Sequence, residues 1–432
     1  MEDDTFSVAR FWDDRVERSL VMSSCNLRHV TSTAFRPLPR LRSLHIADNP
    51  LLPRADILAA VQRVDGLSKL DLSSGSVFRR GRDLADLLFN DSAGGLRLEE
   101  LVAAGNCIRA VSLNISTATV VGTLRSLDLA DNELTMLGGG LSSLRRLERL
   151  IVRGNRLTVI DSAAVTGLDR LTTLDASYNE LAKVDDGALR PLTRLRHLNL
   201  AGNRLQTLSP AALPPGLEFL SLRENRLVSV RFLASLARLR SVDVSENGLV
   251  RLDAHLFSEH IRSPISANFS HNEISSIDGR AFVEVAFRVL DLAGNRLTRL
   301  SLFGANVTDV MRADDNLIDD VDDEVFQTTR DLHLANNRLR SLRTSCHNYT
   351  IGLESPPSPS HTADEAETGI PSSQVLVLDV SGNRNLGSSF HLQQNCSSLV
   401  GLCCPLLFLP FRDVCIVLLR NVAIYAFEVR LE

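Results

Sequence analysis

The chain has 432 residues, of which 44% are apolar and 23% charged, and its formal net charge is −5. That apolar content supports a large core and excludes wholesale disorder, while 52 acidic residues against 47 Lys and Arg argue against nucleic acid as the main partner. Seven cysteines are too few for a disulfide-stapled miniprotein, and the odd number leaves at least one thiol unpaired within the chain.

Residues 1–16 read as an N-terminal flank. Glu2, Asp3 and Asp4 come before any apolar run, which is the reverse of a secretory signal. This start fits a cytosolic chain or a fragment that has lost its N-terminus.

From residue 17 to 344 one pattern recurs. The segments LRSLHIADNPL, LEELVAAGNCI, LRSLDLADNEL, LERLIVRGNRL, LTTLDASYNEL, LRHLNLAGNRL and LEFLSLRENRL all fit LxxLxLxxNxL. The asparagine falls at Asn49, Asn106, Asn132, Asn155, Asn179, Asn203, Asn225, Asn247, Asn272, Asn295, Asn316 and Asn337, and once more at Asn383. Cys25 and Gly75 take its place in two further units, making fifteen, mostly 21 to 26 residues apart. In LxxLxL the alternation of apolar and polar residues specifies a short strand with one buried face. The asparagine amide carries both donors and an acceptor, so it can satisfy backbone groups exposed by the following bend, and stacked amides would form a ladder. Cys25 can do this weakly and Gly75 not at all, so their coils are expected to be looser. No single unit can bury its own apolar side, so stability must come from stacking.

A large apolar residue also recurs ten positions past the ladder place: Phe35, Val165, Leu189, Leu213, Phe257, Phe282 and Phe326. With the first motif, this resembles the "typical" leucine-rich repeat of extracellular animal proteins such as Toll-like receptor ectodomains and chaoptin-like adhesion proteins. The resemblance implies an α/β repeat solenoid, a curved horseshoe with a parallel β-sheet on the concave face and irregular or short helical structure on the convex face.

The array is interrupted twice. Arg79-Arg80-Gly81-Arg82 is followed by a short helical pattern over residues 83–89. Residues 345–373, rich in Pro, Ser and acid, read as a disordered insertion, and residues 374–395 form the last repeat. Residues 396–432 make an apolar tail. Its 13-residue uncharged run Leu399–Phe411 contains Pro405 and Pro410 and falls short of the roughly 20 residues a membrane helix needs. Cys396, Cys403, Cys404 and Cys415 do not match the cysteine spacing of the caps such arrays usually carry.

Sequons occur at Asn90, Asn114, Asn268, Asn306, Asn348 and Asn395. They are more frequent than Ser and Thr abundance alone would produce, which favours passage through the secretory route. Five are expected off the sheet. Asn268 is the exception: a glycan there would block part of the inner face.

The inner face presents the polar places of LxxLxLxx. Asp71, Asp128, Asp175, Asp243, Asp291 and Asp379 recur between the strand leucines. The departures are more informative: Arg149, Ile151 and Arg153 in one unit, then Tyr178, then His197, then Phe219, Arg223 and Glu224. Exposed aromatic residues and arginines anchor protein interfaces, and four adjacent strands would make a patch about 15–20 Å wide.

No catalytic set, phosphate loop or metal motif is legible. His45, His197 and His333 fall in distant units. The acidic run Asp314, Asp315, Asp319, Asp320, Asp322, Asp323 and Glu324 lacks calcium-loop spacing and reads as a solvated edge. The expected function is a non-catalytic recognition module without cofactor or metal, binding a protein on its concave face. It would be an ectodomain or fragment of a secreted or cell-surface receptor or adhesion protein; the alternative is a cytosolic scaffold. Homodimerisation is left open.

Overall fold

The computed structural model describes residues 5–6, 18–64, 66–74, 84, 97–111, 122–301, 305–340, 377–384, 386, 401–403, 415–417 and 426–427. Gly75, the 83–89 segment except Leu84, the insertion 345–373 and sequons Asn90, Asn114, Asn348 and Asn395 lie outside these residues. The chain divides into two compact units, residues 1–239 and 240–432. Each is a solenoid of parallel strands with little helix.

In the first unit the strands Ser19–Val21, Ser43–His45, Lys69–Asp71, Glu100–Val102, Ser126–Asp128, Arg149–Ile151, Thr173–Asp175, His197–Asn199 and Phe219–Ser221 pair in chain order. Their middle residues, from Leu20 and Leu44 through Leu150 and Leu174 to Leu220, stack in register. Alternation decides which side is buried. Leu147, Leu150, Val152 and Leu157 of one coil are fully inaccessible, whereas Arg149 and Arg153 of the same coil are exposed. Each leucine removed from water contributes about 1.5–3 kcal/mol.

In the second unit, Ser241–Asp243, Ile265–Asn268, Ala286–Asp291, Asn306–Arg312, Asp331–His333 and Val377–Asp379 pair in the same parallel manner. Three of these strands are longer than the three-residue norm, and the register slips between Ile265 and Ser266 and between Phe287 and Val289. This places Asn306 in the sheet, opposite Ala286, and corrects the expectation that only Asn268 among the sequons lies on a strand. The extension is anchored by Val307, which is buried and pairs with Phe287 ahead of the regular strand position Met311. Beyond Val377–Asp379 the strand Gly401–Cys403 pairs in parallel, and Cys415–Val417 and Ala426–Phe427 then run antiparallel.

The asparagines tie each coil to the one before it. Asn179 Oδ1 accepts the Leu157 N–H at 3.0 Å, while its Nδ2 donates to Val152 O of the preceding coil and to Ala176 O and Ser177 O of its own. Asn155, Asn203 and Asn225 repeat this four-bond pattern. In the second unit Asn272, Asn295, Asn316, Asn337 and Asn383 do the same. Asn383 takes the Leu339 N–H across 44 residues of sequence, so the coil after the insertion is bonded to the coil before it. Asn49 and Asn132 bond in the same way within the first unit, and Asn247 donates to Val244 O and Ser245 O in the second. The pattern weakens at Asn106, which follows the interrupted stretch, and at Cys25, in the first of the fifteen units. Asn106 Nδ2 donates to Leu72 O and Ala104 O, but among the described residues its Oδ1 has no donor. Cys25 is exposed and, among the described residues, its Sγ reaches only Ser23 O, at 3.4 Å.

The outer side is closed by the recurrent plugs. Phe35, Val165, Leu189, Leu213, Phe257 and Phe282 are buried. Phe326 is not: it is half-exposed, and the neighbouring Val325 fills the core instead. Only 21 residues separate Asn316 from Asn337, against 25 from Asn247 to Asn272. The shorter coil, turned through the helix Asp323–Thr328, presents a different residue inward. In the second unit Phe257, Phe269, Phe282 and Phe287 form one aromatic cluster, with Phe282 and Phe287 edge-to-face at 5.2 Å.

Candidate interaction surface

The first-unit sheet places the eight candidate residues on three parallel rows. Arg149, Thr173, His197 and Phe219 are successive strand partners, and Ile151, Asp175, Asn199 and Ser221 form the next row. The third row runs along the turn, with Arg153, Tyr178, Arg223 and Glu224. Two close contacts organise these residues. The His197 and Phe219 rings stack at 4.5 Å, tilted by only 3°. The Arg153 guanidinium lies over the Tyr178 ring at 5.0 Å. Arg223 pairs with Glu224 at 3.2 Å. Thr173 separates Arg149 from His197, so Arg149 stands about two strand spacings, roughly 10 Å, from the stack.

Tyr178 stands out on backbone grounds. The residue before each ladder asparagine turns left-handed; neighbouring coils use Gly154 at φ 66° and Gly202 at φ 65° there, whereas Tyr178 has φ 52°. An aromatic residue tolerates this region poorly, yet Tyr178 is 48% exposed and packs into no core. Gly202 makes room for it: a Cβ on that glycine would lie 2.6 Å from Tyr178 Cδ1. The left-handed position and the need for Gly202 were not read from the sequence, although a glycine recurring just before the ladder asparagine is the signal that carried them.

The recurring aspartates have a structural task that the sequence reading did not assign. Asp175 Oδ1 accepts from Ser177 N at 2.9 Å and from Ser177 Oγ at 2.6 Å, closing the turn after the strand. Asp71, Asp128, Asp243, Asp291 and Asp379 accept the corresponding backbone N–H. Asn199 and Asn268 do the same with an amide oxygen. Asn268-Phe269-Ser270 is therefore the same turn as Asp243-Val244-Ser245 with an amide in place of the carboxylate. Its sequon follows from turn chemistry, which weakens it as a sign of glycosylation. Asn306 is exposed at the start of its strand.

Lining up carboxylates has an electrostatic cost. Burial pushes the Asp128 carboxyl above its ordinary range, against the pull of the Ala130 N–H, and Asp131, Asp71 and Asp175 push it further. Burial likewise raises Asp314. Asp71 is also raised by burial, but the Ser73 hydroxyl and N–H, together with His45, overcome this and bring it below its ordinary value. His45 bonds Asp71 at 3.2 Å and Ser43 at 2.9 Å, while His333 is half-buried in the second unit. In the acidic run, Arg299 holds Asp322 at 2.6 Å and Asp320 at 3.5 Å. Among the described residues no group of three or more His, Cys, Asp or Glu is placed to hold a metal ion, and no helix is long and apolar enough to cross a membrane.

The leucine rich repeat family model matches residues 122–181, 145–205 and 169–227. No curated protein matches the chain. Among solved structures, a leucine-rich repeat protein of Leptospira interrogans aligns at 20% identity and TM-score 0.59, covering 76% of this chain and 86% of that one. A leucine-rich repeat protein of Bacteroides eggerthii aligns at 14% identity and TM-score 0.54, covering 84% and 66%. A chain of the mouse RP105/MD-1 complex aligns at 18% identity and TM-score 0.51, covering 72% and 59%. Likeness at this identity carries the fold, and with two bacterial proteins among the three it carries no compartment.

A carboxyl held above its unfolded range destabilises the fold while ionised, and that penalty disappears as pH falls through the folded value. Asp128→Asn keeps the oxygen that accepts the Ala130 N–H and removes the charge. It is expected to raise stability at about pH 7 by a few tenths of a kcal/mol, since the site is only partly shielded from solvent. Urea unfolding should show this gap closing near pH 3, where the wild-type carboxyl is also protonated; a gap independent of pH would contradict the assignment. The fold class is that of the leucine-rich repeat solenoid, and the family model marks its repeats over residues 122–227.

Proposed function

We propose that the protein is a recognition module that binds a protein partner through the inner face of its first unit, centred on Arg149, Ile151, Arg153, Tyr178, His197, Phe219, Arg223 and Glu224. One observation carries this reading. On four adjacent coils the outward places hold two aromatic contacts, the His197–Phe219 stack and the Arg153–Tyr178 pair, whereas the strand row that carries His197 and Phe219 holds Ser43, Lys69, Glu100 and Ser126 on preceding coils. Stacked aromatic and guanidinium groups are rigid, partly desolvated anchors of the kind that dominate interface energetics. The mouse RP105/MD-1 assembly illustrates that this fold takes part in protein complexes.

A photocrosslinking residue at position 219 should capture a partner from cell surfaces or conditioned medium at least tenfold more efficiently than one at position 187, where Gly187 faces open space. Arg153→Ala, Phe219→Ala and Arg223→Ala combined should abolish capture without lowering the unfolding midpoint. Equal capture at 219 and 187 would contradict the reading.

The proposed setting is extracellular or cell-surface, as an ectodomain or adhesion fragment, supported by the sequon excess and the exposure of Asn306. Cys25 and Cys107, both exposed with free thiols, favour the cytosolic scaffold as the second reading, since reducing compartments keep such thiols intact. Fused to a secretory leader, the chain should leave the cell with N-glycans, and Asn306→Gln should remove one glycan's mobility shift. Retention of the chain in the cell, or an unmodified Asn306, favours the scaffold.

A further inference from the structure

Charge is unevenly distributed along this chain. Residues 145–239 hold 15 Lys and Arg against 9 Asp and Glu, a net +6, although the whole chain carries −5. In and around the surface proposed above, several arginines are already neutralised. Arg125 pairs with Glu148, Arg196 with Glu218, Arg204 with Glu180 and Arg223 with Glu224. Arg149, Arg153, Arg156 and Arg226 are exposed, and among the described residues no carboxylate lies within ion-pair distance of any of them. Arg149 on the strand and Arg153 in the turn after it flank half-exposed Ile151. Arg156 and Arg226 occupy the turn one residue past the ladder, on either side of the neutral Glu180–Arg204 pair.

Unpaired guanidiniums beside apolar and aromatic groups define the chemistry of what fits. We propose that the partner segment is an acidic polypeptide carrying apolar side chains, its carboxylates meeting Arg149, Arg153 and Arg156 and its apolar groups packing on Ile151 and Phe219. This rests on the recognition reading above and narrows it. Guanidinium–carboxylate pairs are planar and bidentate and supply orientation as well as attraction. A continuous polyanion such as a sulfated glycan fits less well, because Asp128 and Asp175 stand on the same face and the apolar groups would remain uncovered.

The full chain can be titrated by fluorescence anisotropy with three labelled twelve-residue peptides, alternating Glu/Phe, Ser/Phe and Lys/Phe, and with heparin as competitor. The Glu/Phe peptide should bind at least tenfold more tightly than the other two, weaken as salt is raised, and resist displacement by heparin at equal charge. Arg149→Glu with Arg153→Glu should lose at least tenfold. Arg145→Glu with Arg146→Glu makes the same change of charge in the turn entering the strand and should lose no more than about twofold. Equal loss in both variants, or displacement by heparin, would overturn the proposal. Equal binding of the Ser/Phe peptide, abolished by Phe219→Ala, would overturn the acid preference and leave the recognition surface standing.

Discussion

One side-chain amide per coil holds this structure in register. A leucine-lined coil has no preferred rotation against its neighbour from apolar contact alone, because burial is non-directional. The asparagine supplies direction: its oxygen takes an N–H from the coil before, and its nitrogen ties carbonyls of both coils, as Asn179 does with Leu157, Val152, Ala176 and Ser177. These amides are buried, so each bond lost would leave a dry polar group costing about 1–3 kcal/mol. The parallel pairing of the strands and the position of every outward side chain follow from that alignment.

The turn that follows each strand adds a second constraint and determines what the inner face can display. Aspartate or asparagine at the last strand place closes the turn, and the residue before the ladder must adopt a left-handed backbone. Most outward places are therefore committed to structure. The residues that do not serve the turn, Arg149, Ile151, His197 and Phe219 among them, are free to serve a partner. Tyr178 stands in the left-handed place itself, seated over Gly202, and gives Arg153 a ring to lie on.

Much of the fold was legible because a repeat reports each physical requirement many times over. The leucine and asparagine spacing specifies parallel strands, a buried side and the stack direction. What was misread came from coils of unusual length. The 21-residue coil from Asn316 turns Val325 inward where Phe326 was expected, and burial of Val307 extends a strand back to Asn306. The aspartates at the last strand place recur plainly, but their role needed the Ser177-type turn geometry to become visible. The same geometry explains why Asn268 forms a sequon. Membership of the candidate surface could be read from the outward places, whereas its pairing, His197 on Phe219 and Arg153 on Tyr178, depends on distances between coils that sequence does not contain.

The amide couples neighbouring coils. Hydrogen exchange of individual amides in Asn179→Ala tests this directly. The Leu157 N–H belongs to the coil before the substitution and, among the described residues, bonds only to the Asn179 side chain. Leu157 is expected to lose at least tenfold of its protection while Leu205, two coils away from Leu157 and bonded to Asn225, keeps its own. Unchanged protection at Leu157 would show that leucine packing alone holds the stack, and would contradict the account.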